Sequence, residues 1–157
     1  MKKIFGVLIC LMMIAGFAAA EQEVVLPGGR YAVDVPDWME YNDPVDGESG
    51  MDAYISEDLE MDYTAYPKDN ADMLEAPKTL KEKAELLRDS GIKVTIRKVN
   101  GIEMLCFRME DEDDGTPGIG YVFEDGEWII EIDFWYATQD AGDETKKIME
   151  TIRSTEQ

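Results

Sequence analysis

The stretch IKVTIRKVNGIEMLCFRMEDEDDGTPGIGYVFEDGEWIIEIDFWY, residues 92–136, decides the fold. Two dipeptides in it, Asn100-Gly101 and Asp125-Gly126, suit two-residue hairpin turns, because such turns need positive φ at their central positions. After the second turn the alternation is strict. Trp128, Ile130, Ile132, Phe134 and Tyr136 fall on one side, and Glu127, Glu131 and Asp133 on the other. A period of two predicts an antiparallel strand, half-buried on its apolar side. Met104, Leu105, Cys106 and Phe107 are apolar without alternation, so their strand is expected to be covered on both faces. Ile119, Tyr121 and Phe123 alternate up to Asp125-Gly126 and supply the strand between.

Upstream, Leu80, Ala84 and Leu87 recur at helical spacing. They predict an amphipathic helix over Thr79–Asp89, stopped by Ser90-Gly91. Before it, Ala53–Ser56 and Leu59–Tyr66 read as two strands joined at Glu57-Asp58 and closed by Pro67. Val24–Leu26, the turn Pro27-Gly28-Gly29 and Arg30–Val35 form an N-terminal hairpin. Pro36 ends it, having no N–H to continue a ladder. Trp38, Met39 and Tyr41 are expected to cap one end of the core. Downstream, Ile148, Met149 and Ile152 predict a last helix over Asp143–Ser154. Tight turns join the strands in pairs, and strand and helix do not alternate. The expected class is therefore α+β: a mainly antiparallel sheet flanked by helices, an α/β/α sandwich with an N-terminal hairpin.

Residues 1–20 stand apart. Lys2-Lys3, the apolar run Ile4–Ala15 and Ala18-Ala19-Ala20 before Glu21 have the form of a secretory signal peptide cleaved after Ala20. An uncleaved anchor is the alternative, although the run is short for a span. Cleavage leaves residues 21–157 as one globular domain, secreted or extracytoplasmic, with no membrane insertion. One cysteine then remains, Cys106, and no intrachain disulfide can form. Between Leu105 and Phe107 it reads as a small buried hydrophobe. Arg108, two residues on, shares its face and is the basic neighbour that could lower its pKa.

Removing Lys2 and Lys3 leaves 13 basic residues against 35 acidic, a net charge of −22. Nucleic acid needs a positive footprint, so that class of partner is excluded. Anionic membrane surfaces are disfavoured for the same reason. The self-repulsion predicts a soluble monomer.

The chain has no histidine, which removes Ser-His and Cys-His pairs and His-ligated zinc. No serine lies in a G-x-S-x-G elbow. Gly115, Gly118 and Gly120 precede a strand, where a phosphate loop would precede a helix. Calcium is the cofactor to consider. Glu110-Asp111-Glu112-Asp113-Asp114-Gly115 gathers hard oxygen ligands, with Asp111, Asp113 and Asp114 as the metal candidates. In an EF-hand register Tyr121 falls where the bidentate acid should be, so that motif fails. Asp43, Asp46 and Glu48 around Gly47 form a second acidic loop. A carboxylate pair is the catalytic class that composition leaves open, and 35 acids make one common by chance. Trp135 lies on the acidic face of its strand with Glu131 and Asp133 and is expected to pack under cover or to serve a binding surface.

One resemblance draws these features together. Tyr31-Ala32-Val33-Asp34-Val35-Pro36-Asp37-Trp38 opens the fold, and Tyr54-Ile55 lies in the next strand pair. A helix precedes the strand ending Val99-Asn100-Gly101, and Gly120–Phe123 pairs with Trp128–Phe134. Ile148-Met149-Glu150-Thr151-Ile152-Arg153-Ser154 closes the chain. In order and spacing this resembles the PsbP/Mog1-like superfamily. The resemblance implies an antiparallel sheet flanked by helices, in proteins that act as photosystem accessories or as a nuclear GTPase partner. It implies a binding or assembly module and names no partner. The expectation is an exported, non-catalytic module whose partner is an unidentified protein or small ligand. A calcium-binding acidic module and a carboxylate-pair hydrolase acting on glycans are the alternatives.

Overall fold

A computed structural model describes residues 21–42, 52–69 and 76–156. The expected signal peptide and the acidic loop at Asp43–Glu48 lie outside the described residues. Among the described residues, ten strands and two helices follow one another: β1 Glu21–Val25, β2 Tyr31–Pro36, β3 Glu40–Asn42, β4 Asp52–Ile55 and β5 Leu59–Pro67. Then come α1 Leu80–Asp89, β6 Val94–Val99, β7 Ile102–Glu110, β8 Pro117–Glu124 and β9 Trp128–Tyr136. The chain closes with α2 Gln139–Glu150 and β10 Arg153–Ser154.

The strands form two antiparallel sheets. The large one runs β3-β4-β5-β9-β8-β7-β6, and the small one runs β1-β2-β10. The first expected turn is present, with β6 returning as β7 through Asn100-Gly101, where Asn100 takes φ 49° and Gly101 φ 85°. The second lies one residue further on than expected, because Asp125 and Trp128 bond to each other across Gly126-Glu127 and only Gly126 takes positive φ there. β9 sits in the middle of the large sheet, paired antiparallel with β5 and β8. Its Ile130, Ile132 and Phe134 are fully buried against Val33, Val35, Met61 and Met149 in the larger core. That core lies between the large sheet and a layer made of the small sheet and α2.

Three further expectations are corrected. β9 is not apolar on one side alone: Ile129 is fully buried on the opposite face, in a second core with Ala84 and Leu87 of α1 and with Leu105, Phe107 and Val122. β9 and β7 are both interior strands, paired along each edge, and both bury apolar side chains on both faces. The last helix starts at Gln139 and ends at Glu150, four residues earlier than expected at each end. Thr138, in extended conformation, caps it by accepting the Ala141 N–H, as capping hydroxyls do. Gly142 lets the helix approach Tyr136, whose ring would lie 2.8 Å from an added Cβ. Met39 caps the core as expected, but Trp38 and Tyr41 are 44 % and 50 % exposed. Two short strands, β3 and β10, are additions.

α1 has Thr79 as its N-cap, accepting the Glu82 N–H. Glu124 of β8 accepts the Leu80 N–H and pairs with Lys68. Lys83 reaches from the helix to Glu131 of β9 at 2.7 Å, with both side chains largely buried. These links hold α1 on one half of the sheet face and leave the other half to polar side chains.

Candidate anion-binding groove

β6 ends the large sheet and β7 lies beside it, while α2 packs on β9 and β2. In register, Thr95 of β6 stands beside Cys106 of β7, and Cys106 beside Tyr121 of β8. Alternation puts every second residue of each strand on this same face. The row on one side is Arg97 beside Met104, and on the other Arg108 beside Ile119. Lys93 and Thr95 join them from β6 and its entry, and Lys146 joins from α2. Together they line a groove of about 410 Å³. Cys106 and Tyr121 are its buried floor, whereas Lys93, Arg97, Arg108 and Lys146 stand exposed on its rim.

The electrostatics are unusual for this chain. Lys146 is 3.2 Å from Asp143. Among the described residues, no acid lies within ion-pair distance of Lys93, Arg97 or Arg108. Four cations thus converge on one hollow of a molecule with formal charge −20. Burial pushes the Cys106 thiol up, with the Arg97 charge opposing. Burial likewise raises Tyr121. A thiol held protonated is a poor nucleophile, so the groove offers guanidinium and ammonium donors around an uncharged floor. That arrangement suits holding a carboxylate, phosphate or sulfate, with guanidinium forks matching such groups in two bonds.

The expected metal candidates lie elsewhere. Asp111 Oδ1 accepts the N–H of Asp113 at 2.8 Å and of Asp114 at 3.1 Å. Asp114 Oδ1 accepts the Thr116 N–H at 2.8 Å, and its hydrogen bonds from Thr116 hold its carboxyl below the usual range. Asp113 is exposed. These oxygens shape their own turn, an ordinary use of aspartate. Among the described residues, no three Asp, Glu, Cys or His side chains stand together as a metal cage.

A carboxylate pair does exist, on the face that carries α1. Asp62 of β5 and Asp133 of β9 are register partners, flanked by Glu60 and Glu131. Burial, then Glu131 and Asp62, push Asp133 up to about 7, with Lys83 opposing. Burial, then the Glu60 charge, push Asp62 up to about 6. Trp135 shares this face and, beside Asp62, opposes that rise. Its ring folds over Gly118 of β8, as Phe107 folds over Gly120. Asp133 Oδ1 is buried without a partner. The neighbouring hollow, about 300 Å³, is walled by Glu60, Asp111 and Trp135, and neither Asp62 nor Asp133 lines it. Glycan hydrolysis needs both carboxyls at the bond to be cut, and the neighbouring hollow does not present this pair.

The sequence placed Arg108 with Cys106 on one face and Trp135 with Glu131 and Asp133 on another, and both placements hold. It missed Lys93, Arg97 and Lys146 as partners of Arg108. The alternation of Lys93, Thr95 and Arg97 carried the first two; Lys146 had no local signal.

No family model and no curated protein matches the sequence. Solved structures do match its fold. The solution structure of cyanobacterial PsbP (CyanoP) from Synechocystis sp. PCC 6803 superposes with a TM-score of 0.58 at 13% identity, covering 89% of this chain and 95% of that one. A crystal structure from Bacteroides thetaiotaomicron VPI-5482 superposes with a TM-score of 0.61 at 15% identity, covering 87% of this chain. This chain spans about half, 49%, of that Bacteroides chain. The fold is PsbP/Mog1-like, as the order and spacing of the elements implied.

Proposed function

We propose that this protein is an exported, non-catalytic binding module that holds an anionic ligand, or an anionic patch of a partner, in the groove of Lys93, Arg97, Arg108 and Lys146. The observation that carries the reading is the gathering of four cations, three without an acid partner among the described residues, around one concave site of a strongly acidic chain. Self-repulsion would otherwise scatter positive charge toward the surrounding carboxylates. The groove's volume falls in the range of ligand sites, roughly 300–1,000 Å³. Export rests on the form of residues 1–20. No described helix is long and apolar enough to cross a membrane. Glu21 is the first residue of β1, so cleavage after Ala20 would keep every described strand.

The test uses citrate as a polyanion probe, followed by amide chemical shifts at constant ionic strength. Shift changes should gather at Lys93, Thr95, Arg97, Cys106, Arg108 and Tyr121. They should vanish in the Arg97→Glu/Arg108→Glu variant while the rest of its spectrum stays unchanged. Shifts scattered over the surface, or equal shifts in the variant, refute the reading.

A further inference from the structure

β6 closes one end of the large sheet, so its outer edge pairs with no strand among the described residues. The opposite end, β3, is three residues long and carries an exposed Glu40. β6 runs six residues in unbroken register with β7 and contains no proline. Its unpaired row of N–H and C=O groups is a template for one more strand.

The side chains of β6 say which strand. Lys93, Thr95 and Arg97 face the groove. Val94 faces the other way, into the core under α1, and alternation puts Ile96 beside it. Ile96 is 61 % exposed, the most exposed large apolar side chain among the described residues. Lys93 and Arg97 are four residues apart, about 13 Å at the usual strand rise. Arg108 and Lys146 add charge from β7 and α2, behind the edge.

We infer that the groove's occupant is an extended acidic segment of a partner protein, added to the sheet along β6. This rests on the anion-binding reading above. An added strand has its own period of two. Two acids four residues apart would then face Lys93 and Arg97, with a small residue between them opposite Thr95. The two intervening residues would face Ile96 and the α1 side, and aliphatic side chains would cover Ile96. The complementary pattern is acid, aliphatic, small, aliphatic, acid, and it reads alike in either direction. Basic residues on an edge strand can serve simply to prevent self-pairing. That role would not call for Arg108 and Lys146, which lie off the edge, or for a hollow behind it. Strand addition supplies affinity through main-chain bonds and specificity through alternate side chains.

The probe is a dye-labelled peptide, Ser-Glu-Val-Thr-Val-Glu-Ser, followed by anisotropy with the full mature chain. A peptide of the same composition, Ser-Glu-Val-Thr-Glu-Val-Ser, puts the two acids on opposite faces. Two further peptides keep the first sequence and are N-methylated at alternate sets of residues, since one set of amides faces β6. The swapped peptide and at least one methylated peptide should bind about tenfold more weakly or worse, a loss of about 1.4 kcal/mol. Arg97→Glu/Arg108→Glu should abolish binding of all four. If all four peptides bind equally and all depend on Arg97 and Arg108, strand addition is overturned and the anion groove stands. Strand addition is likewise overturned if citrate binds and the first peptide does not. If neither citrate nor any peptide responds to the charge reversal, both readings fall.

Discussion

Asp133→Asn should stabilise this protein at neutral pH, an uncommon result for a change in a sheet centre. Asp133 lies in the middle of the large sheet beside Asp62, with its Oδ1 buried and unpartnered. Its carboxyl is raised from an ordinary 3.8 to about 7. The folded state therefore binds the proton more tightly than the unfolded chain between those two values. The stability this adds is fully present below pH 3.8 and is lost as pH rises through 7. At 1.36 kcal/mol per pH unit, the ionised form costs about 4 kcal/mol at pH 8. Coupling to Asp62 and residual hydration reduce this to about 2–4 kcal/mol. The substitution keeps the shape, removes the charge, and gives an amide that can donate to Asp62. Urea unfolding followed by tryptophan fluorescence would be run from pH 4 to pH 8 at fixed salt. The variant's advantage over the parent should grow by about 2–4 kcal/mol across that range and then level off. Glu103→Gln, at an exposed position, is the control and should show no such growth. An advantage independent of pH, or a destabilisation that deepens above pH 7, would refute the account of this buried pair.

Other consequences follow from the same geometry. Gly120→Ala would place a Cβ 2.2 Å from the Phe107 ring and 2.7 Å from Asp133 Oδ1, so it should cost about 1–3 kcal/mol in urea unfolding; adding Phe107→Leu should recover part of the loss. Lys83→Met leaves Glu131 charged and largely buried without its partner. It should cost about 3 kcal/mol at pH 8, whereas Lys83→Met with Glu131→Gln should cost less, a difference that a double-mutant cycle measures. Asn100 donates from its amide to Glu150 O at 2.6 Å and to Ile152 O at 2.9 Å while holding φ 49°. Asn100→Gly keeps the backbone freedom and loses both bonds, so thermal unfolding should show a loss of about 1–2 kcal/mol; a change within error would mean that the link between turn and helix contributes nothing.

Much of the fold was legible because its signals are local. A period of two over Trp128–Tyr136 and the Asn100-Gly101 turn each depend on neighbours in the chain. So does the apolar stripe of α1, although Thr79, expected as its first residue, is its N-cap. The start of α2 was less legible, because its apolar stripe of Ile148, Met149 and Ile152 marks the far end of the helix, and the fit of Gly142 against Tyr136 is a tertiary contact. β10 was not legible at all. It is two residues long, and its pairing partner in β2 lies more than a hundred residues away.

The candidate site divides in the same way. Sequence by itself determined which residues of one strand share a face, since pleating alone sets that alternation. It determined the surplus of negative charge and the absence of imidazole chemistry, which need only counting. It could not determine which strands lie side by side. The order β9-β8-β7-β6 brings Arg97 of one hairpin arm, Arg108 of the other and Lys146 of a distant helix to one hollow. The order β5-β9 presses Asp62 against Asp133 and raises both carboxyls. Charge interactions fall off with distance through a low-dielectric interior. They are therefore set by the tertiary pairing of strands, and a list of residues in chain order carries no such distances.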